Sequence, residues 1–406
     1  MKKTLVAIAA LSAISAFAQS SVTLGGTVDV RLAIGNGDTS NMTALRSSGI
    51  NSSHFRFVGV EDLGGGLKAG FHLEAGYNVD DGTGANSTSN NQTITSFNAV
   101  SGANGAVRSG TQGFTFNRRS TLSVMGGFGE VRLGRDYTPQ FWNHTYYDPF
   151  GTNGVGSTIA LGVPSQIGAL NTGSQNTAIR ASNAISYFTP NFGGFSAQIQ
   201  TYLGENGSAP IAVATAAVAN ARAAALRNPT AANITAANQA DLALTAALAP
   251  NAPGSDTGSG TSVRVGYVQG PINVGLAYAR TNTGVTTDST STNIGGSYDL
   301  GIVKVMGNYS IDANTGSSDV RGWLFGVTAP LGSGTAKAAF SQTDNGNNGV
   351  AKQFALGYVY DLSKRSAVYA TVATVNNSNT SFALNGATTK VNGNSTGFDL
   401  GVRHSF

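Results

Sequence analysis

The chain has 406 residues, no cysteine, and 24 Lys and Arg against 20 Asp and Glu, so that only 11% of its residues are charged. A soluble domain normally carries about 25% charged residues, and this small positive excess is too weak to indicate a nucleic-acid-binding face. The lack of Cys excludes a disulfide framework and a thiolate metal site, so stability must come from the fold itself.

The first 18 residues have the pattern of a secretory signal peptide. Two lysines follow Met1, an apolar stretch runs to Ala16, and the sequence AFA ending at Ala18 fits a small-x-small cleavage site. We therefore expect residues 1–18 to be removed on export and the mature chain to begin at Gln19. No later run of about 18 apolar residues predicts a transmembrane helix.

Apolar residues then recur at every second position through most of the mature chain. In SVTLGGTVDVRL, from Ser21 to Leu32, apolar side chains alternate with Thr, Asp and Arg. This alternation is typical of a β-strand with one apolar and one polar face. Similar segments continue to the C-terminus, whereas helical spacing is nearly absent.

Short and long connections alternate between these strands. A strand on each side of seven short turns, together with the first and last strands, gives 16 antiparallel strands. An even number of strands with short turns at one end and long loops at the other is typical of bacterial outer-membrane barrels, in which closure satisfies every backbone polar group. The seven turns are EDLGGGLK, GGFGEV, TPNFGGF, VQGPIN, YDLGIV, PLGSGT and YDLSKRS.

The pattern therefore predicts an all-β fold, a 16-stranded antiparallel transmembrane β-barrel with short periplasmic turns and long outer loops. The alternative is a secreted, water-soluble β-protein. Such a protein would bury its apolar faces in cores, and this many strands would need a boundary between domains. No linker of that kind is visible between residues 19 and 406.

Several segments resemble, in family order, the signature segments of the general porins of Gram-negative outer membranes, particularly the β-proteobacterial type. The resemblance implies a homotrimer that passes small hydrophilic solutes and inorganic ions by passive diffusion. It also implies contact with outer-membrane lipid and lipopolysaccharide, and assembly by the barrel assembly machinery. The segments are SSVTLGGTVDV, HFRFVGVEDLGGGLKAGFHLE, FNRRSTLSVMGGFGEVRLGRDYTP, YYDPFG, NAISYFTPNFGGF, YDLSKRS and GVRHSF.

The C-terminal residue, Phe406, is a large aromatic side chain where chain ends usually fray. It resembles the tag that the assembly machinery reads in this family. We expect Phe406 to end a membrane strand that pairs with the first strand, around Val22. The residues at alternating positions before it are His404, Val402, Leu400 and Phe398.

The segment 137–180 is too long for an ordinary hairpin connection. In the family, the third loop stands at this place, folds into the barrel and constricts the pore. Between Tyr137 and Ala178 the segment carries one acid, Asp148, and no Lys or Arg. A loop so poor in acids argues against a strong transverse field.

Strand parity assigns charged residues to the lumen, because an ionised side chain facing lipid costs about 2 to 4 kcal/mol near the bilayer midplane. Positive charge beside a narrow aqueous site raises the local anion concentration, which predicts a mild anion preference. The alternative is that these arginines only line a wide vestibule and pair with neighbouring acids. The basic residues with inward parity are Arg31, Arg56, Lys68, Arg119, Arg132 and Arg180, and the acids are Asp29, Glu74 and Glu130.

Three arginines need separate treatment. A bulge could exchange the faces of Arg118 and Arg119. Arg135 has outward parity but lies at the strand end that leads into the third loop, so we expect it to anchor that end rather than to set selectivity.

Residues 205–261 form an insertion rich in Ala. Because Ala has the highest helix propensity and Pro interrupts helices, it predicts two short helices broken at Pro229. By strand count the insertion belongs to an outer loop. It is either a lid or adhesion surface, or a tolerated insertion packed on the barrel rim.

Other function classes lack a matching motif. The four histidines, His54, His72, His144 and His404, have no accompanying nucleophile or metal-ligand spacing. The sequence therefore predicts no enzyme activity, no metal and no cofactor. An adhesin without a channel would need a substantial mass blocking the lumen.

Overall fold

The structure is a computed structural model, which describes residues 21–84, 91, 115–158, 176–204, 209–247, 258–282, 288–313, 319–346 and 349–406. The predicted signal peptide, residues 1–18, lies outside the described residues.

The described strands form one antiparallel sheet that closes into a barrel. From the third strand onwards, each strand pairs with the next one in sequence, and the last strand pairs with the first. The predicted antiparallel barrel is therefore confirmed. The strands are β1 (Ser21–Gly37), β2 (Met42–Ser47), β3 (His54–Gly64), β4 (Leu67–Gly76), β5 (Arg119–Gly126), β6 (Gly129–Tyr137), β7 (Arg180–Phe188), β8 (Phe195–Tyr202), β9 (Gly260–Gln269), β10 (Ile272–Thr281), β11 (Ser289–Asp299), β12 (Lys304–Ala313), β13 (Val320–Leu331), β14 (Gly334–Asp344), β15 (Val350–Asp361), β16 (Ser366–Ser378) and β17 (Asn394–Ser405).

These 17 strands occupy 16 positions around the barrel, because β2 and β3 share one position. The second half of β1 pairs with β2, and its first half pairs with β3. The chain leaves the sheet between them, over residues 48–53. Asp29 of β1 holds this excursion, since its carboxylate accepts the backbone N–H groups of Gly49, Ile50 and Asn51 at 2.7 to 2.9 Å.

All seven predicted turns join paired neighbouring strands in the structure. In the turn between β9 and β10, Gly270 has φ of 57°. A side chain other than Gly would be strained there, and Pro271 follows without a backbone N–H to satisfy.

The apolar side chains point out of the barrel, as lipid contact requires. On β17, Phe398, Leu400 and Val402 are 36 to 51% exposed, whereas Ser395 and Asp399, which have the opposite parity, are 1 to 2% exposed. A water-soluble sandwich would show the opposite distribution. The alternation of apolar and polar residues along each strand thus follows from lipid contact on the outer face of the barrel and polar groups on its inner face.

The C-terminus is fixed at the seam of the barrel. Phe406 and Gly26 exchange two backbone hydrogen bonds of 3.1 Å, so pairing of the C-terminal strand with the first strand is confirmed. The contact differs from the expected position around Val22, because Phe406 lies opposite Gly26, four residues further along β1.

In the described part of the chain, three α-helices lie outside the sheet. They are α1 (Pro139–Tyr146), α2 (Ala209–Arg227) and α3 (Ala231–Ala247). The last two fall in the Ala-rich insertion and are separated at Pro229, as the sequence predicts, but they are longer than expected. Arg222 of α2 and Asp241 of α3 form an ion pair of 2.8 Å. Within the described part of the chain, the helices are too short or too polar to cross a membrane.

Candidate functional site

The segment after β6 lies inside the barrel, against the inner wall. Asn143 of α1 donates a hydrogen bond of 2.8 Å to Asn293 of β11. Further on, Gln353 of β15 donates to the backbone oxygen of Val155 at 3.1 Å. The segment therefore runs from β6 across the lumen to the opposite side of the barrel.

Local sequence explains how this segment begins and how it fits. Pro139 is at the first helical turn of α1, where its missing N–H costs nothing. The wall opposite carries glycines where the loop packs closely: Gly295 leaves no room for a Cβ beside the Tyr147 ring, and neither does Gly326 beside Pro149. A glycine inside a strand often marks such an approach.

Asp148, the acid predicted to line the constriction, instead points into its own loop. Its side chain is 5% exposed, and it accepts the backbone N–H groups of Phe150, Thr152 and Thr158 at 2.8 to 3.2 Å. Burial raises the pKa of Asp148. The assignment of this acid to the pore lining is thus corrected, because its carboxylate caps a turn of the loop.

His144 attaches α1 to the wall from the side facing away from the lumen. It is 1% exposed, and its Nε2 lies 3.1 Å from the side-chain nitrogen of Asn293, which donates to it. Burial lowers the pKa of His144 to about 3. The imidazole is therefore neutral and accepts a hydrogen bond at neutral pH.

We expect acidification from pH 7 to pH 4 to loosen α1. Released His144 binds a proton below a pKa of about 6.5, whereas the packed imidazole stays neutral down to about 3. Between these two pKa values, the free energy that favours the packed loop consequently falls by about 1.4 kcal/mol for each pH unit of acidification. Above a pH of about 6.5 the packed loop keeps its full stability. In a Trp323→Phe protein, Trp142 is the only tryptophan, and its emission should shift to longer wavelength.

The matched variants for this pH experiment are His144→Gln and His404→Gln. His404 lies on the outer side of β17, so its replacement should keep the shift, whereas His144→Gln should remove most of it. An emission maximum that does not change between pH 7 and pH 4 would contradict the role given to His144.

Facing the loop, the inner wall from β3 to β7 carries a continuous network of charged groups. Near the start of β6, Arg132 donates to Glu130 at 2.9 Å and also pairs with Asp136. Asp136 in turn accepts two hydrogen bonds from Arg119, at 2.7 and 3.2 Å. Arg119 and Arg132 are therefore held by carboxylates of the same wall.

The network continues through Glu74. Its carboxylate accepts a hydrogen bond of 2.5 Å from Arg118 and lies 3.0 Å from the ring of His72. The other ring nitrogen of His72 lies 3.3 Å from Arg119. Both Arg118 and Arg119 thus face inward, which settles the ambiguity of their parity.

Tyr137, at the end of β6, contacts several arginines of the network. Its hydroxyl accepts hydrogen bonds from Arg118 at 2.5 Å and from Arg180 at 2.6 Å. The guanidinium groups of Arg180 and Arg119 lie 4.2 and 5.7 Å from the centre of its ring. A ring face attracts cations, so one side chain holds three arginines close together.

A cavity of about 450 Å³ separates this wall from the loop. Its wall side includes Arg56, Arg118, Arg119 and Arg180, and its loop side is uncharged. Among the described residues, Arg56 and Arg180 have no carboxylate within salt-bridge distance. The loop residues that line the cavity are Phe141, Trp142, Thr145, Gly151, Thr152 and Asn153.

The network as a whole contains more cations than anions. This excess leaves the aqueous side of the network positive. Five guanidinium groups, from Arg56, Arg118, Arg119, Arg132 and Arg180, accompany three carboxylates, from Glu74, Glu130 and Asp136.

Three residues that parity assigned to the same wall lie away from this cavity. Arg31 is neutralised by Asp399 of β17. Asp29 is 0% exposed and is used by backbone N–H groups and by the hydroxyl of Tyr369. Lys68 lies opposite Asp62 in the strand register, beside the short turn at the end of the barrel. Strand parity gave their inward faces, but it carries no information about their partners or their heights in the barrel.

Sequence reasoning missed Asp136 and Tyr137. Asp136 has the same parity as Glu130 and Arg132, so its inward position could have been found. Tyr137 could not, because an irregularity between Gly134 and Asp136 shifts the register there. Arg135 donates to the backbone oxygen of Asn117 at 2.6 Å, consistent with an anchoring position.

Comparisons with known proteins agree with this architecture. A family model described as Gram-negative porin matches residues 4–380. Outer membrane porin protein 32 of Delftia acidovorans is 32% identical over the full length of both chains, and an outer membrane porin of Bordetella pertussis is 26% identical over the full length of both. The solved anion-selective porin from Comamonas acidovorans is 30% identical and has a TM-score of 0.71, with 96% of this chain and 100% of that chain covered.

Proposed function

The chain belongs to the Gram-negative porin family, and from this membership we propose that its barrel is an anion-preferring diffusion channel constricted between the loop and the arginine wall. The protein is an outer-membrane channel for solutes and ions, and it is not an enzyme. The ion preference, the constricting role of residues 137–180 and the pore-lining role of the arginines are the proposed parts.

The excess of guanidinium over carboxylate groups at the cavity carries the proposal. Arg56 is exposed and has no acidic partner among the described residues, and the loop presents no acid to the cavity because Asp148 is turned away. A narrow aqueous site with fixed positive charge concentrates anions. The anion-selective porin from Comamonas acidovorans supports the same preference.

The vestibule alternative accounts for only some of these arginines. Arg119 and Arg132 do pair with acids of the same wall, as that alternative requires. Arg56 and Arg180 do not, and both line the cavity. We therefore assign the field of the constriction mainly to these two side chains.

The experiment that tests this function is the zero-current potential of the purified protein in a planar bilayer under a KCl gradient. We expect a stable conductance whose reversal potential favours chloride. A channel that prefers potassium would contradict the proposed ion preference, and a complete lack of conductance would contradict the channel itself.

The assembly of the channel is also proposed. We infer a homotrimer in contact with lipid and lipopolysaccharide, supported by the continuous apolar outer face. We infer that the barrel assembly machinery reads Phe406, whose ring is 43% exposed on that face. Export through the signal peptide 1–18 and an outer-loop position for residues 205–261 belong to the same proposal.

A further inference from the structure

We propose that the constriction favours anions that carry a flat aromatic ring, such as aromatic carboxylates, over aliphatic anions of similar size. The inference rests on the proposed anion preference and names a substrate class for the same site. It comes from a row of aromatic side chains on the loop, which anion attraction alone does not require.

Three rings on or beside α1 form a continuous row. The ring centres of Trp142 and Tyr146 are 5.3 Å apart with their planes at 17°, and those of Tyr137 and Trp142 are 5.0 Å apart at 48°. Trp142 and Tyr146 are four residues apart, so one face of the helix carries both. The guanidinium group of Arg264 from β9 lies 5.3 Å from the ring centre of Tyr146 and ends the row.

Two rings of this row, Trp142 and Tyr146, are accessible, whereas Tyr137 is 9% exposed and most of α1 is packed against the wall. Tyr146 is 45% exposed and Trp142 is partly exposed, but Asn143 and Tyr147 are 0% exposed. Exposed large rings inside a polar lumen are unfavourable unless something covers them. A solute that passes through the constriction could cover them.

The two sides of the cavity are chemically different. Trp142 lines it on the loop side, and Arg56, Arg118 and Arg119 line it on the wall side. A flat aromatic anion can pack against the part of the indole ring that lines the cavity, since Tyr146 stacks on the same ring elsewhere, while its carboxylate accepts hydrogen bonds from a guanidinium group. Arg56 is the most suitable donor, because it has no carboxylate partner in the described chain.

An aliphatic ring with the same carboxylate provides the discriminating comparison. Benzoate and cyclohexanecarboxylate have the same charge and ring size, but only benzoate is flat and aromatic. A contact between two aromatic rings contributes a modest binding free energy in addition to that of the buried area. We therefore expect benzoate to reduce the chloride conductance at concentrations about 2- to 10-fold lower than cyclohexanecarboxylate.

The variants Trp142→Leu, Trp142→Phe and Trp323→Leu test this in planar bilayers. We expect Trp142→Leu to reduce the ratio between the two blocking concentrations to about 1 and Trp142→Phe to retain most of it. Trp323 lies on the outer face of β13 and is the matched control, since its replacement removes a tryptophan without touching the cavity. Equal block by both anions in the unmodified protein would overturn the inference.

A second measurement decides the matter if Trp142→Leu does not fold. In the Trp323→Phe protein, titration with benzoate should quench the fluorescence of Trp142 with saturation, and cyclohexanecarboxylate should do so only at higher concentration. Identical titrations would overturn the inference. The KCl reversal potential, measured on the same proteins, separates the two proposals: a lost chloride preference contradicts the channel proposal, whereas a retained preference without discrimination contradicts only this one.

Discussion

Replacing Arg56 with Glu is expected to abolish the anion preference of the channel, whereas replacing Lys68 with Glu is expected to leave it nearly unchanged. Both substitutions change the net charge equally, and both side chains face the lumen. They differ in height, since the backbone of Arg56 lies opposite that of Glu74 in the strand register, and Glu74 is six residues along β4 from Lys68. At about 3.3 Å per residue, this separates the two positions by roughly 20 Å.

Because salt screens charges in solution, this separation should make the two substitutions differ in their effect on ion selectivity. At physiological ionic strength the Debye length is about 8 Å, so a charge at Lys68 acts only weakly on an ion in the constriction. A charge reversal at Arg56 acts inside the cavity, and we expect the chloride-to-potassium permeability ratio to fall by about tenfold. The measurement is the reversal potential under a KCl gradient. Equal effects of the two substitutions would show that the cavity beside Arg56 does not set selectivity.

Replacing Asp399 with Ala is expected to destabilise the barrel and to loosen the internal loop at Val155. This carboxylate is 1% exposed and pairs with Arg31. It also accepts the backbone N–H of Val155 and the side-chain amide of Asn385, both at 2.8 Å. Its removal leaves the Arg31 charge buried without its partner, which costs about 3 to 5 kcal/mol.

Two measurements report these consequences. The temperature at which the barrel loses its folded mobility on a detergent gel should fall, and the open-channel current should become noisier because the backbone N–H of Val155 loses its acceptor. Asp361→Ala is the matched control, since Asp361 is 51% exposed and lies 3.8 Å from Arg403; an exposed pair contributes about 0 to 1 kcal/mol. Adding Arg31→Met to Asp399→Ala should restore part of the stability, and a double variant less stable than the single one would argue against an unpaired charge as the cause.

The fold was almost entirely predictable because its signals are local. Alternation of apolar and polar residues depends only on the pleat of each strand, and the seven short turns are marked by Gly, Pro, Asp and Ser in sequence. The exception is the position shared by β2 and β3. There the strand breaks because Asp29 binds the backbone of residues 48–53, a contact between segments that the alternation does not encode.

The candidate site was predictable only in part. Parity found Arg56, Glu74, Arg119 and Arg180, which meet at the cavity. It could not separate them from Lys68, which has the same face at another height, or from Asp29, whose charge is used by backbone N–H groups. The carboxylate of Asp148 was misassigned for a different reason: its place in the third loop suggested the pore lining, but the loop folds back onto it.

By itself, therefore, the sequence determined the antiparallel barrel, its family and the face of the sheet to which each charged strand residue belongs, since these depend on residue type and on a period of two along each strand. Only the tertiary structure decided which charges remain without a partner. Ion pairing depends on distances between strands and on where the internal loop lies, and contacts such as Arg31 with Asp399, or Arg180 with Tyr137, join residues far apart in the chain. The free positive charge at Arg56 and the row of rings from Tyr137 to Tyr146 exist as a site only after the loop has folded into the barrel.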